Sequence, residues 1–149
     1  MQQHERDQLY RRIVENAPDA VIFADRNGAI QVWNGGAEAV FGYTAQEAIG
    51  QSLDLIVPER QRERHWTGYD RVMASGETKY GKELLSVPAT HKNGTRISIE
   101  FSIVMVKGAD GKVEGIAAIM RDVTKRFNEE RQTRQRMAEL EKQAGTRTG

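Results

Sequence analysis

Cysteine is absent from the 149-residue chain. That excludes a disulfide framework, cysteine-ligated zinc or iron–sulfur clusters, a thiol nucleophile and a redox CxxC pair. Charge of one sign is also scarce. The 22 Lys+Arg against 21 Asp+Glu leave a formal net charge of +1, which argues against a dedicated nucleic-acid binder. Long apolar runs are missing too. The best, 20–24 and 115–120, have strand length, against the ~20 residues a membrane-spanning helix needs. Met1 to Asp7 are polar and charged with no apolar core behind them, unlike an export signal. The expectation is a soluble, cytoplasmic protein, attached to a membrane only through another chain. GxGxxG, Walker A, HExxH and GxSxG motifs are absent as well. No acid pair is spaced for general acid/base work, and Asp19, Asp25 and Asp54 read as turn caps. The chain reads as a non-enzyme.

What is present suits one compact domain with short extensions. Leu9, Ile13 and Val14 recur at helical spacing, and Asn16-Ala17-Pro18-Asp19 ends that helix. Ala20–Ala24 reads as a buried strand, Asn27-Gly28 as a tight turn and Ala29–Trp33 as the returning strand. Asn34-Gly35-Gly36 breaks the strand and lets helix and strand pack closely. Ala37, Val40 and Phe41 then predict a short helix. Thr44-Ala45-Gln46-Glu47 is a capping-box pattern for another. Pro58 to Ala74 predicts a longer helix that turns His65, Tyr69 and Val72 to one face, with Trp66 and Met73 on its flank. Three strands are predicted at Tyr80–Pro88, Thr95–Val106 and Val113–Asp122. Beyond Thr124 there is no Gly or Pro until Gly145, which predicts a long helix with Val123, Phe127, Met137 and Leu140 as its apolar positions.

Several of these segments resemble PAS domains. Ile13 to Ala20, Val32 to Glu38 with Phe41-Gly42-Tyr43, and Glu47-Ala48-Ile49-Gly50 resemble the N-terminal half. Lys92-Asn93-Gly94-Thr95 resembles the turn in the C-terminal half. Arg121-Asp122-Val123-Thr124-Lys125-Arg126 resembles the Asp-aliphatic-Thr motif that ends many sensory PAS cores. The resemblance implies an α+β fold: a five-stranded antiparallel sheet of order 2-1-5-4-3, short helices on one face and an amphipathic helix at each end. The expected division is a flanking helix at 1–15, a core at 16–122, a signalling helix at 123–145 and a disordered tail at 146–149.

Pro58 to His65, with Arg71 and Met73 to Glu77, is similar to the haem-bearing helix of FixL-type oxygen-sensing PAS domains. By that resemblance His65 is the axial metal ligand and Arg71 lies near a propionate. Tyr69, Ile99, Phe101 and Ile103 would line the same site. The resemblance also puts Leu85 where the oxygen sensors carry a gas-contacting Arg, and Leu has no hydrogen bond to give. Tyr80 is an alternative donor on that strand. Haem b at His65, a non-covalently held flavin flanked by Trp33 and Trp66, and no cofactor are the three readings. A covalent flavin photosensor is excluded by the missing thiol. His4 and His91 read as solvated.

The function implied is a sensory module of a bacterial-type signal transduction system, of the kind that regulates transcription. Asp122 and Thr124 would relay the change from the last strand to the terminal helix, or else simply cap that helix. The alternative is a ligand-free dimerisation module. Either way a homodimer through the flanking helices is expected. The downstream kinase or regulator is unspecified, and neither nucleic acid nor membrane is a direct partner.

Overall fold

The structure, a computed structural model, describes residues 1–78 and 83–147. The helix α1 (Gln3–Asn16) leads through Pro18 into a hairpin, β1 (Ala20–Asp25) and β2 (Ile30–Trp33). Short helices α2 (Gly35–Phe41) and α3 (Ala45–Ala48) follow, then two 3-10 turns and α4 (Arg62–Ser75). A meander of β3 (Leu85–Thr90), β4 (Arg96–Lys107) and β5 (Val113–Asp122) ends in α5 (Thr124–Arg147).

The five strands form one antiparallel sheet of order β2-β1-β5-β4-β3, as the resemblance implied. Alternation sets its faces. Along β1, Ala20, Ile22 and Ala24 are buried, while Val21, Phe23 and Asp25 are half-buried on the other face. Ile97, Ile99, Ala118 and Met120 continue the buried side across β4 and β5. The helical layer answers with Ala37, Phe41, Ala48, Leu53, Ile56 and Tyr69. The β1–β2 turn is closed by Asp25, whose carboxylate accepts the amides of Asn27 at 2.9 Å and Ala29 at 3.1 Å. Those bonds, with Gln31, outweigh desolvation and hold the Asp25 carboxyl below its ordinary range. Thr44 and Glu47 form the expected capping box.

Boundaries differ from expectation in four places. The first helix begins at Gln3, because its polar residues pair along one face, with Gln3 donating to Asp7 at 2.8 Å. The helix predicted from Pro58 opens as a 3-10 turn at Glu59–Gln61, where the Gln61 amide donates to the Pro58 carbonyl. The strand predicted at 80–88 is seen at Leu85–Thr90, and pairing of Thr90 with Arg96 fixes its far end. The expectation for Tyr80 lies outside the described residues. Lastly α5 passes through Gly145 to Arg147. Among the described residues, no helix is long and apolar enough to cross a membrane.

Candidate functional site

One face of α4 lies over the sheet. Tyr69 is buried, and its hydroxyl donates to the β1 carbonyls of Ala24 (3.1 Å) and Asp25. Burial, then the nearby Asp25 charge, pushes the Tyr69 phenol up to about 12, so it stays a donor at neutral pH. Trp66 lies one turn earlier. Its indole N–H donates to the Asp54 carboxylate at 2.8 Å, and its ring lies against Gly28. A Cβ at Gly28 would come within 2.1 Å of that ring, and Gly28 also sits at φ +77°. Asp54 and Asp19 therefore depart from the expected capping role. Asp54 holds Trp66 and lies 3.8 Å from the Arg62 guanidinium, while Asp19 pairs with Arg121.

His65 completes this aromatic group, 4.7 Å from the Trp66 ring and 5.8 Å from the Tyr69 ring. Burial holds the imidazole below its ordinary pKa, against the opposing pull of Asp54, so the ring is neutral at pH 7. Its Nδ1 is buried with no hydrogen-bond partner among the described residues. A buried polar atom in that state carries a desolvation cost that a ligand or a shifted neighbour can remove.

The other expected site residues divide into two groups. Leu85 and Phe101 are cross-strand neighbours, and Ile99 and Ile103 share their face of the sheet. This wall is less covered toward the sheet edge. Val87, paired with the buried Ile99, is 39 % exposed. Arg71, by contrast, lies on the exposed side of α4.

A haem iron needs one neutral imidazole, which His65 supplies. The macrocycle also needs a slot between α4 and the sheet. Tyr69 and Trp66 occupy that layer on the β1 side, each pinned by its own hydrogen bond. Leu85 offers no donor to a bound gas, and the exposed Arg71 is not turned inward. Packed this way, the described residues do not fit a haem. Trp33 does not frame a flavin either: its N–H donates to the Tyr43 carbonyl at 2.9 Å and its ring packs on Phe41 at 5.5 Å.

The second cluster is where β5 becomes α5. Thr124 donates its hydroxyl to the Asp122 carboxylate at 2.5 Å and its amide to the same oxygen at 2.9 Å. The Thr124 Oγ1 in turn accepts the Ser98 amide of β4 at 3.0 Å. The Val123 amide donates to the Ser98 carbonyl at 2.9 Å, and Val123 is buried. The Asp122 carboxylate also faces the positive end of the α5 dipole. One residue of β4 therefore holds the first turn of α5 at both of its backbone groups.

Asn34 makes the matching tie at the other end, and sequence reasoning passed it over as a strand break. It is buried in the core, at 4 % exposure. Its side-chain oxygen accepts the Val21 and Ala37 amides at 2.8 and 2.9 Å. Its Nδ2 donates to the Val14 carbonyl of α1 at 2.8 Å and to Asp19 at 3.0 Å. Gly36 permits this approach, since a Cβ there would sit 2.0 Å from the Asp19 carbonyl oxygen. The expectation that Gly35-Gly36 allows close packing is met.

A family model described as the PAS fold matches residues 8–123. The sensor protein FixL of Bradyrhizobium diazoefficiens is 31 % identical over 137 residues, covering 91 % of this chain and 26 % of that protein. The signal transduction histidine-protein kinase AtoS of Escherichia coli is 30 % identical over 134 residues, covering 89 % and 20 %. This chain therefore spans about a quarter or less of the length of these curated relatives. The crystal structure of a PAS domain from Colwellia psychrerythraea superposes with a TM-score of 0.70 at 26 % identity, over 80 % of this chain and 98 % of that one. Fold, strand order and sequence agree, and the chain belongs to the PAS family.

Proposed function

We propose that this chain is the sensory input module of a signal transduction protein, reading its signal on the sheet face beneath α4 and passing it to an output through α5. The observation that carries this reading is the Ser98–Thr124–Asp122 junction. Any shift of β4 against β5 must move the first turn of α5, because the Ser98 amide and carbonyl are both bonded there. The sensing side rests on His65, with Tyr69 and the wall of Leu85, Ile99, Phe101 and Ile103. A fitting ligand is small and largely apolar, with one group that hydrogen-bonds the His65 Nδ1. The relatives named as a sensor and a sensor kinase support an output of that class.

Exposed apolar residues on the flanking helices favour a second reading, a dimerisation module without a ligand. Ile13 is 58 % exposed on α1, and Met137 and Leu140 are 57 % and 64 % exposed on α5. Such residues suit pairing with another copy.

Native mass spectrometry of freshly purified protein, with an absorption spectrum, separates the two. The sensory reading expects a non-covalent small-molecule adduct on the parent, absent from His65→Ala, and no Soret band after hemin is added. A parent that carries no adduct under any purification condition favours the dimerisation module. A Soret band lost in His65→Ala would show that α4 opens to admit haem and would overturn the packing argument above.

A further inference from the structure

Five charged side chains of alternating sign run from the entrance of the domain to its exit. Asp19 lies in the link between α1 and β1, and its carboxylate meets the Arg121 guanidinium at 3.2 Å. Arg121, on β5, stands directly across from Glu100 on β4. The Asp19 and Glu100 charges both favour the protonated Arg121. Glu100 then holds Arg126 of α5 at 2.6 Å, and Arg126 lies 3.9 Å from Glu130, one helical turn further on. Glu100 is the most sheltered member, with 23 % of its side chain exposed.

We propose that this row is a coupling device, which makes the α1–β1 link and the start of α5 change orientation together. The proposal rests on the sheet-to-α5 relay argued above and extends it to the N-terminal helix. Each exposed pair alone contributes little and is screened by salt. The members here are shared, so the row is not a sum of independent pairs. Arg121 touches the N-terminal link and faces Glu100, which holds the C-terminal helix. A change in the β4–β5 spacing therefore acts on both ends at once.

The absence of cysteine makes the test direct. Spin labels at Gln8→Cys and Gln135→Cys, in labelled protein diluted into unlabelled protein, report the α1–α5 distance distribution. The row predicts a narrow distribution at low salt that broadens as salt rises. It also predicts broadening in Arg121→Gln. Exchanging only Glu100→Arg and Arg126→Glu places a guanidinium beside Arg121, so the row predicts broadening there as well. Inverting all five, Asp19→Arg, Arg121→Glu, Glu100→Arg, Arg126→Glu and Glu130→Arg, restores the narrow distribution. Independent pairs predict instead that the two-residue exchange is as narrow as the parent, and that result overturns the proposal. A parent width that ignores salt overturns it too, without relying on the folding of any variant. Thr124→Val separates this from the underlying relay. If it loosens α5 while the charge variants do nothing, the row falls and the relay stands. If it also does nothing, the relay falls.

Discussion

His65 is the partly buried imidazole on which the proposed sensing side rests. Burial lowers its pKa from 6.5, so the unfolded chain takes up the proton first as pH falls. Between 6.5 and the lower folded value the unfolded state holds more protons, and stability drops with pH; above 6.5 this group contributes no slope. The melting temperature of the parent should therefore fall more steeply than that of His65→Gln as the pH drops below 6.5. Equal slopes would mean that the imidazole is solvated. The inward position of His65 was legible from its spacing with Tyr69 and Val72. The pinning of Trp66 and Tyr69 was not, because their partners, Asp54 and the β1 carbonyls, are distant in sequence and carry no periodic signal. Asn34 was hidden for the same reason: a polar residue before two glycines reads as a break, while its four firm bonds are all to backbone.

Among elements, the junction of β4, β5 and α5 is held at both backbone groups of Ser98. Thr124→Val keeps the shape but removes the acceptor of the Ser98 amide and the donor to Asp122. An orphaned amide there costs about 1–2 kcal/mol, so its hydrogen exchange should accelerate about tenfold. Thr124→Ser retains the hydroxyl and should exchange like the parent. Protection at Ser98 unchanged in Thr124→Val would remove this bond from the account. The strands themselves were readable from alternation and from turns such as Asn27-Gly28 and Lys92-Asn93-Gly94. The placement of β1 beside β5 came only from the family resemblance, since no local pattern records a pairing between the two ends of a chain. Element ends were least legible, as the 3-10 start before α4 shows; there the competition between two hydrogen-bonding patterns is decided by Pro58 and its neighbours.

At the scale of the molecule, the sheet acts as a shared plate. Asn34 fastens α1 to it at one end, and Thr124 fastens α5 at the other. The helical layer carries His65 on the face between them. Tyr69, packed against His65, is bonded to β1, and the strand pairing from β1 through β5 to β4 leads on to α5. Nuclear magnetic resonance can follow this route by using the His65 proton itself as the disturbance. As pH is lowered through the His65 titration, the Ser98, Thr124 and Phe127 amides should shift with the His65 midpoint. In Thr124→Val the Phe127 response should weaken, because the Val123–Ser98 bond alone then ties α5 to β4, while that of Ser98 remains; in His65→Gln all three should lose that midpoint. Amides at Thr124 and Phe127 that stay flat through the His65 titration in the parent would contradict the relay from sensing face to terminal helix.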